Sequence, residues 1–113
     1  MSEGSIFTKI IERELPAEVV FENEHLIAIK DIHPRAPVHL LIITKKEIPD
    51  LQSVEPEDHF LLGEVTACAQ QLAKEFGIEK GYRLITNNGP SAGQSVFHLH
   101  FHLLGGRALT SMG

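Results

Sequence analysis

The stretch Gly93-Gln94-Ser95-Val96-Phe97-His98-Leu99-His100-Phe101-His102-Leu103-Leu104-Gly105-Gly106 decides how this chain is read. Successive side chains on a β-strand point to opposite faces. The alternation therefore predicts a strand over Phe97 to Leu104, with His98, His100 and His102 in register on one face. Phe97, Leu99, Phe101 and Leu103 fill the other, and Gly105-Gly106 ends the strand. Imidazole serves as nucleophile, proton carrier or metal ligand near neutral pH, so three in register mark a candidate site.

Working outward, the elements on either side fall into a simple order. Ile6, Phe7, Ile10 and Ile11 recur at helical spacing and predict a short amphipathic helix ending near Glu14, before Pro16. Val19 to Phe21 and Leu26 to Lys30 read as strands, turned by Glu22-Asn23-Glu24. Two prolines make Asp31 to Pro37 a loop. His39 to Thr44 is a strongly apolar strand, a pattern that implies burial on both faces. A long helix is predicted over residues 56 to 76, with Pro56 in its first turn and Glu55, Glu57 and Asp58 at the positive end of its dipole. Leu61, Val65, Cys68, Leu72 and Phe76 form its apolar stripe and Gly77 its C-terminal cap. Tyr82 to Thr86 reads as a strand and Asn87 to Ser95 as a polar, glycine-containing loop. Strands joined by short turns with one long helix indicate an α+β domain with an antiparallel sheet.

Composition narrows the functional classes. A chain of 113 residues is the size of one small domain, burying roughly two-thirds of its unfolded surface. Ten basic against fifteen acidic residues argue against an extended nucleic-acid surface, though a small anion still fits a local histidine cluster. No apolar run reaches the ~20 residues needed to span a bilayer, so no membrane partner is expected. The single cysteine, Cys68, forms no internal disulfide and falls on the helical stripe, which suggests packing. Met1 to Ser5 lacks the basic start and apolar run of a signal peptide, so the expected location is cytoplasmic.

The residues alone leave three uses for the histidines open. In the first, a neutral imidazole attacks a phosphoryl group and forms a phosphoramidate that water readily displaces. Gly93-Gln94-Ser95 would supply donors to the phosphate oxygens. The second is a zinc site built from an H-x-H pair and a distant histidine such as His39. Against it, three alternating histidines span about 13 Å at ~3.3 Å per residue, too far to converge on one ion. The third reading takes them as surface polar residues, as His25, His33 and His59 are taken here. His39 could equally be a hydrogen-bonded core residue, and Asp31 and Asn87 ordinary turn residues.

The run from Gly93 through Gly105-Gly106-Arg107 resembles the signature of the histidine-triad (HIT) family. Its Gly-Gln-Ser and Gly-Gly-Arg flanks are similar to the Hint branch, the purine nucleoside phosphoramidases. Ile6 to Ile11, Asp31-Ile32, Ala36-Pro37-Val38-His39 and Gly81-Tyr82-Arg83 extend the likeness over one HIT domain spanning residues 1–113. The resemblance implies a five-stranded antiparallel sheet with one long and one short helix, pairing into a ten-stranded sheet in a homodimer. It implies hydrolysis of purine nucleoside 5′-phosphoramidates without metal or cofactor, His100 being the nucleophile that carries the nucleotidyl group. His102 would contact the phosphate and assist the leaving group, His98 would orient His100, and His39 would support the other side. Gly93, Gln94, Ser95 and Asn87 match the α-phosphate positions and Asp31 the ribose carboxylate. Ile32, Ile6, Phe7 and Ile10 match the apolar slot for a purine of AMP or GMP type. The same pocket would also suit a non-catalytic nucleotide-binding or scaffold protein. Two departures stand out: the tail Ala108 to Gly113 has no tryptophan, and Glu47 stands where some relatives carry a histidine.

Overall fold

The computed structural model describes residues 4–112; Met1 to Glu3 of the leader reading and Gly113 of the tail lie outside the described residues. Five strands form one antiparallel sheet in the order β1-β2-β3-β5-β4: β1 Val19–Glu22, β2 Leu26–Lys30, β3 Val38–Thr44, β4 Tyr82–Ile85 and β5 His100–Gly105. Two α-helices accompany it, α1 Ile6–Ile11 and α2 Phe60–Glu75. Among the described residues no helix is long and apolar enough to cross a membrane.

The apolar run of β3 explains why it is central. Its alternate residues face two different cores, as the unbroken hydrophobicity implied. Leu40 and Ile42 join Leu26, Ala28, Phe101 and Leu103 beneath Leu61, Val65, Cys68 and Leu72 of α2. Leu41 and Ile43 join Ile27 and Ile29 on the opposite face, under Phe7 and Ile10 of α1. Cys68 is free and buried, and burial pushes its thiol up to about 12, so it packs as an apolar group.

Three boundaries differ from the sequence reading by more than one residue. The histidine strand begins at His100, so His98 precedes it and is fully buried, while Phe97 is half exposed instead of filling the core face. Here the backbone leaves regular pairing: the Leu99 amide donates to the Ile48 carbonyl and the Leu99 carbonyl accepts from Thr44. The long helix does not start at Pro56. Pro56–Asp58 is a separate tight turn, and buried Asp58 accepts from Lys46 Nζ at 2.6 Å. Finally, α1 stops at Ile11 because Arg13 turns left-handed, at φ 64°, and pairs with Glu22 on β1.

Gly106 closes the sheet beside the Asp31–Pro37 loop. Its φ is +97°, and an added Cβ would meet the Pro37 side chain at 2.9 Å. Gly106→Ala combines a disfavoured backbone with a clash and is expected to destabilise the fold by about 1–3 kcal/mol. Urea denaturation of the two proteins measures it, and an unchanged midpoint would show that the loop simply yields.

Candidate active site

Sheet register assembles the site. On β3 and β5, Ile43 pairs with His100, Leu41 with His102 and His39 with Leu104. His39, His100 and His102 therefore share the α1 face of the sheet, with His39 on the diagonal from His102. The Asp31 amide donates to the His39 carbonyl at 3.0 Å, which sets Asp31 opposite His39 just beyond the end of β2. Residues far apart in sequence are in this way made neighbours by pairing alone.

Hydrogen bonds then order the ring protons. The Arg35 backbone N–H donates to His39 Nδ1 at 3.0 Å, so His39 carries its own proton on Nε2. That Nε2–H faces His102 Nδ1 at 2.9 Å, which leaves the His102 proton on Nε2. His100 has the reverse arrangement. Its Nδ1–H donates to the His98 carbonyl at 2.6 Å, and Nε2 keeps the lone pair. His98 donates from Nε2 to the Thr44 carbonyl at 2.6 Å and accepts at Nδ1 from the Ser5 hydroxyl at 2.5 Å. One ring thus offers a lone pair and its neighbour an N–H, with ring centres 5.2 Å apart.

Electrostatics keeps these rings neutral. Burial pushes His39, His98 and His100 below the ordinary histidine value; Asp31 partly opposes this at His39, and accepting carbonyls do so at His98 and His100. His102 falls to about 4, first through burial and then through the positive charge that His100 and His39 would carry. A neutral His100 is the form that has a lone pair to donate.

Asp31, His39 and His102 also bring one potential ligand atom each within 4.8 Å of one another, the one such trio among the described residues. Its hydrogen bonding does not suit a cation. A metal on His39 Nε2 would require the ring proton on Nδ1, directly against the Arg35 N–H. The trio is wired as a proton-ordered pair with a carboxylate beside it, Asp31 Oδ2 standing 3.4 Å from His39 Nε2. Asp31 Oδ1 accepts from the His33 amide at 2.7 Å. The turn role and a place at the site are thus combined in one side chain.

The loop before the histidines divides its expected donors into two groups. Gly93 is left-handed, at φ +96°. The Gly93 and Gln94 amides donate to the Pro90 and Gly89 carbonyls. The buried Gln94 side chain is fully engaged, donating to the Pro49 and Val96 carbonyls and accepting from the Gly89 amide. Gln94 and Gly93 therefore shape the loop. The exposed Ser95 and the half-buried Asn87 keep side-chain donors that have no protein partner among the described residues. The apolar slot also splits: Phe7 and Ile10 lie in the core, whereas Ile6 (50%) and Ile32 (85%) are exposed. Phe7 still meets the site, its ring packing edge-on against His100 at 4.9 Å.

Ser5, Thr8 and the backbone groups of Arg35 and Thr44 escaped the sequence reading. Ser5 was legible in part, as a serine heading a helical pattern, and it caps α1 by accepting from the Thr8 amide. The partnership of Ser5 with His98 carries no local signal, because 93 residues separate the two.

Known proteins share this fold. A model of the HIT domain family matches residues 12–109. An uncharacterized HIT-like protein of Synechocystis is 51% identical over 107 residues, which cover 95% of this chain and 94% of that one. The structure of a HIT family hydrolase from Clostridium thermocellum superposes with a TM-score of 0.93 at 48% identity, covering 99% and 98% of the two chains. That of a histidine triad nucleotide-binding protein from Candida albicans gives 0.80 at 28% identity, covering 97% and 86%. Likeness at this level over almost the whole length, with the triad register intact, means that the chain belongs to the HIT domain family.

Proposed function

We propose that this protein is a hydrolase of the Hint-like branch that cleaves purine nucleoside 5′-phosphoramidates. The observation that carries the reading is the proton order of His100 and His102. His100 Nε2 has a free lone pair, and the neighbouring His102 presents an N–H. In the first step Nε2 attacks phosphorus, the P–N bond to the amine breaks, and a nucleotidyl-His100 intermediate forms. Water then attacks phosphorus, the P–Nε2 bond breaks, and the nucleoside monophosphate leaves. The leaving nitrogen takes its proton from solvent by way of the His102 N–H in the first step, and in the second the water leaves its hydroxyl on the nucleotide and returns one proton to solvent. His102 hydrogen-bonds the phosphoryl group and leaving nitrogen, His39 holds its tautomer, and Ser95 and Asn87 meet the phosphate oxygens. Ile6 and Ile32 flank the base.

AMP release from adenosine 5′-phosphoramidate tests the reading, with excess EDTA and with His100→Ala alongside. Release that survives chelation and needs His100 is the expected result. Loss with EDTA alone would restore the zinc reading, and no release at all would point to a binding or scaffold role.

Asp31 is assigned the ribose hydroxyls, since an ionised carboxylate only accepts. Asp31→Asn is expected to weaken AMP by roughly tenfold, the worth of one charge-assisted hydrogen bond. Inorganic phosphate should bind unchanged; calorimetry with both ligands decides, and equal AMP affinity would remove the ribose role. We further propose a homodimer joined through edge strand β4, where Tyr82 and Leu84 are exposed. Sedimentation should then give the mass of two 12.5 kDa chains.

A further inference from the structure

We propose that Glu47 is a positioning residue for His100, acting through the first turn of α1 and through His98. This rests on the reading of His100 as the group that attacks phosphorus. Six residues are too few for α1 to hold its own first turn in water. Phe7 and Ile10 dock the helix on the sheet, and the Glu47 carboxylate ties down the cap and first turn. Its Oε1 accepts from the Ser5 amide at 3.0 Å and from the Thr8 hydroxyl. These donors keep the Glu47 carboxyl below the usual carboxylate range.

Held there, Ser5 Oγ accepts from the Thr8 amide at 3.0 Å and donates to His98 Nδ1. His98 is thereby gripped at both ring nitrogens, by Ser5 and by the Thr44 carbonyl. Its own carbonyl fixes the His100 tautomer. Glu47 stands 3.9 Å from His98 Nδ1, outside hydrogen-bonding distance, so it fixes the ring's place through the hydroxyls, while its charge acts on His98 through space. The order runs from carboxylate to helix cap, to buried ring, to backbone carbonyl, and ends on the lone pair of His100.

Glu47→Ala, Glu47→Gln and Ser5→Ala test this, read by steady-state kinetics and by imidazole ¹⁵N spectra of the nucleotide-free protein. Wild type should show the proton of His98 on Nε2 and that of His100 on Nδ1. Glu47→Ala should give mixed tautomers at His100 and lower kcat about tenfold, with KM within about threefold. Glu47→Gln should restore both, because an amide oxygen accepts the same two hydrogens. Ser5→Ala should reproduce the spectral change with Glu47 still in place. Wild-type tautomers in Glu47→Ala, whatever its activity, would overturn the proposal, as would a Gln variant no better than Ala. A wild-type protein that failed to cleave the phosphoramidate would instead remove the reaction assignment, while the spectra would still decide whether Glu47 positions His100.

Discussion

Replacing His100 with alanine is expected to reduce phosphoramidate turnover by roughly a thousandfold or more, since the proposed covalent route is lost with its nucleophile. AMP affinity should fall by only about tenfold to a hundredfold, because one contact to an anion contributes ~1.5–3 kcal/mol at most. The two readouts separate because the other contacts proposed for the ligand survive. Ser95 and Asn87 keep donors that have no partner among the described residues, and Asp31 and the exposed Ile6 and Ile32 are untouched. The His98 carbonyl, which accepts from His100 Nδ1, is left to water in the variant. Rapid-quench labelling should show a protein-bound nucleotidyl group in wild type and none in the variant. Ordinary turnover by His100→Ala would end the nucleophile assignment.

The second large effect is acid lability well above the carboxylate range. His39, His98, His100 and His102 are all held below their ordinary value of 6.5, chiefly by burial. In the unfolded chain they titrate near 6.5. Between that value and their folded values the unfolded chain binds more protons, so stability falls as pH falls. The loss begins near pH 6.5 and for His102 runs down to about 4. That one group contributes roughly 2–3 kcal/mol, allowing for the solvent its ring retains. Against a total of about 5–15 kcal/mol for a typical domain the change is large. Glu22 and Glu47, held below 4.5 by their hydrogen bonds, add to it only at lower pH. Urea midpoints at pH 7.5, 6 and 5 should decline steadily, and a flat series would show that the rings do not resist protonation. Over the same range the neutral His100 predicts that kcat/KM holds its plateau below pH 6.5 for as long as the protein stays folded.

How much of this was written locally differs from residue to residue. The alternation around His100 and His102 and the unbroken apolar run of β3 specify strands and their burial, because side-chain direction on a strand follows from covalent geometry. The stripe of α2 is legible for the same reason at a different period. The break before His100 was not legible. Leu99 exchanges hydrogen bonds with Ile48 and Thr44, and nothing near Leu99 in the sequence announces either partner. Gln94 shows the same limit: its place in a phosphate-type loop could be read, but its complete use as scaffolding could not.

The sequence by itself therefore determined the element types, the α+β class, the family, and that His100 and His102 face one side of the sheet. Periodicity and residue chemistry suffice for all of these. Tertiary structure alone decided which histidine holds a lone pair and which offers a proton. That choice depends on the Arg35 amide, the Thr44 and His98 carbonyls and the Ser5 hydroxyl. Strand register and helix docking bring those groups to the rings. Either nitrogen of a histidine ring can carry the proton until a neighbour claims one of them, and the neighbours arrive only when the chain is folded.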